Sequence, residues 1–227
     1  MTAVTVVAGE HCAYLLTDGG SYGDDGTILH IHSKIDVCER LSIAVAHSGI
    51  VSTTFGLKEW MDGQPHQKAV LDGLPEKLRI EIDEIAAAKD AYPEDFVNFI
   101  KTPVMMHMFV AMWSRDAQEA QAYILASPGH KCGPSYVPYT LRRVNDSVQP
   151  GVSSRFQPPL RPSNADWALP VIKQQRRTPD ENGHCRVAAF AELVTVGRDR
   201  IDREIIHRWR IDRVGRKARS MSRARAA

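Results

Sequence analysis

No run of this chain approaches the roughly 18 consecutive apolar residues of a membrane-spanning helix. The N-terminus has no basic stretch followed by an apolar one, which argues against a secretory signal and for the cytoplasm. Cysteine is scarce. Cys12, Cys38, Cys132 and Cys185 lie far apart and form no CxxC pair, so free and mostly buried thiols are expected rather than a disulfide framework. There is no GxxxxGK[ST] loop, no GxGxxG after a strand and no GxSxG elbow, which removes the usual grounds for nucleotide binding and for α/β-hydrolase chemistry. His30 and His32 alternate on one strand, and His130, Cys132, His184 and Cys185 are further ligand types, but their spacings match no zinc motif. Neither a metal nor a cofactor is therefore expected.

What is present is ordinary in bulk. The 227 residues suit one domain, with 43% hydrophobic and 25% charged residues. The net charge is +2, but Arg216, Lys217, Arg219, Arg223 and Arg225 alone exceed it. The body is thus mildly acidic and the basicity belongs to the tail. Residues 1–212 read as one domain, and 213–227 as a basic tail expected to be disordered. No aromatic residue interleaves the tail charges, so nucleic acid is an unfavoured partner.

Hydrophobic period organises the rest. Residues 3–7, 12–17, 27–36 and 40–47 read as strands, with a Gly/Asp loop at 19–26. Residues 51–61 are compatible with a helix. Residues 74–90 make a stronger one, with Pro75 in its first turn and Leu78, Ile82 and Ile85 on one face. Residues 93–101 add a short helix. Strands return at 104–114, 119–127 and 136–144. Residues 145–164 read as a Pro-, Ser- and Asn-rich loop, 166–177 as a helix interrupted near Pro170, and 188–196 and 201–210 as closing strands. Pattern alone gives α+β.

The chemistry-bearing feature is a spacing. Thr2 follows Met1, Asp18 lies sixteen residues after Thr2, and Lys34 sixteen after Asp18. Aminopeptidase removal of Met1 leaves a threonine with a hydroxyl nucleophile and a free α-amine on one residue, a recognised activating pair. An α-amine titrates close to neutrality, which suits a general base. Lys34 and Asp18 are the candidate charged support. Thr5 is a rival nucleophile, but its distance to Asp18 breaks the spacing.

Around these residues the text reads AYLLTD at 13–18, Asp18-Gly19-Gly20, ILHIHSKI at 28–35 and LSIAVAHSG at 41–49. This start resembles proteasome β-type subunits and the peptidase subunit of bacterial HslUV, which are N-terminal-nucleophile hydrolases. The resemblance covers about the first fifty residues, carried by Thr2, Asp18, Lys34 and Gly49. It implies a four-layer αββα sandwich and a threonine-type peptidase or amidohydrolase acting on peptide bonds. It implies assembly into rings or another homo-oligomer, with any ATPase a separate partner. Thr2 becomes the nucleophile, and Lys34 the charge that stabilises the developing alkoxide, paired with Asp18. The backbone N–H of Gly49 becomes an oxyanion donor, with Ser48 as the competing position. The family also carries a Ser in a Gly-Ser loop, for which Ser127 and Ser147 both stand. A second Asp and a Ser normally precede a Gly-Gly strand start. Here Ala188-Ala189 stands at the Gly-Gly position, which puts His184 and Val187 at the Asp and Ser positions, and Asp180 substitutes only if the loop is rearranged. The alternative is a catalytically degenerate subunit of the same fold, acting as a structural or binding module.

Overall fold

In the computed structural model, residues 3–49, 56–99, 104–129, 137–180 and 182–218 are described. The strands are β1 (Val4–Ala8), β2 (Ala13–Asp18), β3 (Gly20–Tyr22), β4 (Ile28–Ile31), β5 (Ile35–Cys38), β6 (Ile43–Gly49), β7 (Met106–Ser114), β8 (Glu119–Ala126), β9 (Arg142–Val144), β10 (Asp146–Gln149), β11 (Phe190–Val196) and β12 (Ile201–Arg208). The helices are α1 (Leu57–Asp62), α2 (Gln67–Ala91) and α3 (Ala168–Arg177), with a 3-10 segment at Pro93–Phe99. The strands form one five-stranded sheet in the order β10-β1-β2-β11-β12, a second in the order β5-β6-β7-β8-β9, and the small sheet β3-β4. All pairings are antiparallel.

The expected four-layer αββα sandwich requires correction. The chain is sheet-rich, with three antiparallel sheets and few helices among the described residues. The 145–164 stretch, read as a loop, supplies the edge strand β10, paired with β1 from Val4↔Gln149 to Val7↔Asp146. Among the described residues the α-helix packed on the first large sheet is the ten-residue α3.

The core explains why these residues form these elements. Val4, Val6, Ala13 and Leu15 of the first sheet meet Ala44, Ala46, Phe109, Ala111 and Ala122 of the second. Small side chains on the second sheet let the two approach closely. Its opposite face, through Ile43, Val45, Met108 and Val110, receives Val70, Leu74, Leu78, Ile82 and Ile85 of α2. Each fully buried aliphatic chain contributes about 1.5–3 kcal/mol. The α2 helix starts at Gln67 rather than near Leu74: His66 caps it, its Nδ1 accepting from Ala69 N at 3.1 Å. Pro75 consequently lies inside the helix, not in its first turn. Pro170 falls in the first turn of α3, where its missing N–H costs nothing, so it does not interrupt that helix.

The 27–36 stretch also divides. β4 pairs with β3, residues 32–34 cross over, and β5 enters the second large sheet. Period-two alternation runs through both halves and so conceals the break. At the other end, residues up to Ala218 return to β4. Ile28 N donates to Arg216 O at 2.9 Å, and Thr27 bridges Lys217. Residues 219–227 of the expected tail lie outside the described residues. No helix among the described residues is long and apolar enough to cross a membrane.

Candidate functional site

Asp18 closes β2, and Lys34 ends the crossover between β4 and β5. The fold brings them together. Lys34 Nζ donates to Asp18 Oδ1 at 2.8 Å, with Asp18 at 0% and Lys34 at 3% exposure. The ammonium also donates to the carbonyl of Gly20. Asp18 Oδ2 accepts from Gly20 N at 3.0 Å, Tyr22 Oη at 2.6 Å and Ala188 N at 3.0 Å. A carboxylate holding four donors is fixed in place and anchors the lysine. Gly20 permits this packing, because a Cβ there would lie 2.5 Å from the Tyr22 hydroxyl.

Electrostatics follow from the burial. Desolvation pushes the Lys34 ammonium below its ordinary value, and the Asp18 charge and hydrogen bond pull it back up. Burial, then the Asp18 charge, raises the Tyr22 phenol well above its usual range, so it remains a donor. Two histidines feel the same lysine. His32, bonded to Ser21 Oγ at 2.7 Å, is lowered by burial and by Lys34. Burial, then Lys34 and His32, lowers His47 to about 3.

The folded-state value of His47 lies below 6.5, so the unfolded chain binds more protons between the two values. The stabilisation is present in full above pH 6.5 and is lost as pH falls towards about 3. A His47→Gln variant is expected to lose less stability than the parent across that window, measured by urea unfolding at stepped pH. Parallel pH curves for the two proteins would contradict it.

Thr2 lies outside the described residues. Its covalent neighbour Ala3 is buried, and the Ala3 carbonyl accepts from Asp18 N at 3.4 Å. The chain thus enters β1 beside Asp18. Thr5 is fully buried in β1, and its Oγ1 accepts from Gln175 Nε2 at 3.3 Å. Gly49 ends β6 opposite Met106, at φ 131°. Ser48, its competitor, is buried opposite His107.

The two serine candidates separate. Ser127 is buried, and its Oγ accepts from Met106 N at 2.9 Å, which puts it at the same end of the second sheet as Gly49. Ser147 lies on the edge strand β10 opposite Val6.

Asp180 pairs with Arg186 Nε at 2.7 Å and accepts from the backbone of Asn182 and His184. Val187 is buried and brings no hydroxyl. Ala189, standing where a second glycine was expected, takes φ 67°, the left-handed region that glycine favours. Sequence reasoning missed Tyr22, Arg176 and Asp212, and it singled out Ala188 and Ala189 only as a replaced Gly-Gly pair.

Cys12, Cys38 and Cys185 are free thiols, and Cys132 lies outside the described residues. Among the described residues no group of three or more His, Cys, Asp or Glu is arranged to hold a metal ion.

No family model matches the chain, and no curated protein matches it. Solved structures do. The chain is similar to Anbu (ancestral beta-subunit) from Yersinia bercovieri, with 10% identity and a TM-score of 0.59 over 91% of this chain and 88% of that one. It is also similar to a Gly-1 mutant of Anbu from Hyphomicrobium sp. strain MC1, with 11% identity and a TM-score of 0.56 over 92% of this chain and 89% of that one. The first-fifty-residue resemblance to proteasome β-type subunits and the HslUV peptidase is corrected accordingly. The likeness is to Anbu (ancestral beta-subunit), and at these identities it carries the fold alone.

Proposed function

We propose that the chain is a threonine-type amide-bond hydrolase, with Thr2 as nucleophile once Met1 has been removed. The observation that carries this reading is the buried Asp18–Lys34 pair, held at the Ala3 carbonyl where β1 begins. Burying a lysine and a carboxylate together costs desolvation energy and is poor value as stabilisation. It is well suited to placing a fixed positive charge beside a reacting hydroxyl.

In this mechanism Thr2 Oγ attacks the substrate carbonyl and passes its proton to the free α-amine through a water. The Lys34 ammonium stabilises the alkoxide as it forms. The Gly49 N–H is the proposed donor to the tetrahedral oxyanion, with Ser48 the competing position. Collapse expels the amine, which takes the proton, and leaves an ester on Thr2. Water attacks the ester and gives a proton to the α-amine. The acyl carbon–Oγ bond breaks, the acyl group leaves as a carboxylic acid, and the α-amine returns the proton to Thr2 Oγ. Peptide bonds are the proposed substrate, and a homo-oligomer the proposed assembly, with any ATPase a separate partner.

Thr2→Ala is expected to abolish hydrolysis of a fluorogenic peptide while leaving the thermal midpoint within a few degrees of the parent. Undiminished turnover in that variant would sink the assignment.

A second reading, a non-catalytic subunit of the same fold, draws on Val187 and His184 standing where a hydroxyl and a carboxylate were expected. It predicts no ester on Thr2 under any substrate.

A further inference from the structure

Behind the Asp18–Lys34 pair lie two more buried charges that the proposed chemistry does not use. Arg176, near the end of α3, is fully buried. Its guanidinium grips Asp212 through two bonds, Nη1 to Oδ2 at 2.7 Å and Nη2 to Oδ1 at 2.9 Å. It also donates to the Val187 carbonyl and lies 4.7 Å from the centre of the Trp209 ring. Asp212 Oδ2 accepts from Ala189 N at 2.9 Å. The Ala189 carbonyl accepts from Trp209 N at 2.8 Å.

Residues 187–189 are thus held on both sides by one ion pair and its neighbouring turn. Between those two grips, Ala188 N donates to Asp18 Oδ2 at 3.0 Å, and Ala188 O accepts from Gly19 N at 3.2 Å. Ala189 sits at a positive φ that an alanine adopts only under constraint, so the segment is held in place rather than relaxed there.

Stability alone does not account for the pair. Matched apolar side chains fill such a site as well or better. Apolar chains cannot hold the carbonyl of one residue and the amide two residues on. We propose that Arg176 and Asp212 are positioning residues: they set residues 187–189 so that the Ala188 amide fixes Asp18, and Asp18 fixes the Lys34 ammonium. This rests on the reading of Asp18 and Lys34 as the charged support of Thr2. The clamp itself does not depend on whether Thr2 reacts.

The test uses Asp212→Asn and the double variant Arg176→Met/Asp212→Leu, which removes the clamp while filling its space. The readout is the ionisation of Lys34, followed by NMR of its labelled side chain. The groups facing that ammonium are Asp18 on β2, Tyr22 on β3, His32 in the crossover and His47 on β6, and none of them is altered. With Asp18 released and burial retained, the Lys34 midpoint is expected to fall by about one unit or more. Acylation of Thr2 should slow by at least about tenfold. An unchanged midpoint in a folded variant overturns the proposal. Hydrogen exchange in the unsubstituted protein is a test free of folding risk: the Ala188 and Ala189 amides should be protected, and exchange as fast as in an open loop overturns the proposal. A shifted Lys34 midpoint in a protein that never acylates Thr2 upholds the clamp and removes the hydrolase reading.

Discussion

Replacing Lys34 with methionine is expected to cost about 3–5 kcal/mol of folding stability and to abolish formation of an ester on Thr2. The stability loss follows from what stays behind. Asp18 is at 0% exposure, and its remaining partners, Gly20 N, Tyr22 Oη and Ala188 N, are neutral donors. Without the ammonium 2.8 Å away, a full negative charge is buried with no counter-charge. Adding Asp18→Asn to Lys34→Met should recover part of the loss, because it removes the stranded charge. Urea unfolding of the three proteins measures this. A loss below about 1 kcal/mol for the single variant is what a solvated surface pair gives, and it would contradict the buried arrangement.

Gly49→Ala is the second large effect. Gly49 sits at φ 131°, and an added Cβ would lie 2.1 Å from the Met105 carbonyl oxygen and 2.9 Å from Met106 Cα. Both contacts are backbone, so no side chain can swing away. Conformational strain and forced displacement together should cost about 2–5 kcal/mol. The same displacement moves the proposed oxyanion donor, and a shift near 1 Å costs a catalytic site about a hundredfold in rate. Gly63→Ala is the control. Its φ is −75°, and its added Cβ meets nothing nearer than 3.5 Å, so it should be close to neutral. Equal stability losses for the two variants would contradict the argument.

The parts of the site that the sequence made legible are those with a local pattern. Asp18 and Lys34 were found by spacing, and each of their segments carries a strand period that its neighbours repeat. Gly49 was legible as the end of the apolar strand 41–49. The rest depends on contacts distant in the chain. Ala188 reaches Asp18 across 170 residues, and Arg176 reaches Asp212 across 36, with no periodicity to announce either. Arg176 itself reads as an ordinary basic residue in a helix's last turn, yet it is buried and bidentate. The fold was legible in its strands and not in its layering. β10 was hidden in Pro- and Ser-rich text because an edge strand of four residues needs little hydrophobic pattern when β1 supplies the partner. The break between β4 and β5 was hidden for the opposite reason, since alternation continued through it. Pro75 misplaced the start of α2 because a proline tolerated inside a helix looks, in sequence, like one opening it.

The proposed hydrolysis requires a free amine on Thr2, with the Asp18–Lys34 pair as its charged support. The most direct measurement is the intact mass of the protein expressed from Met1 without an N-terminal tag. The expected mass lacks one methionine, with Thr2 first. Retention of Met1 would lock the Thr2 nitrogen into an amide, remove the proposed base and rule out Thr2 as the nucleophile.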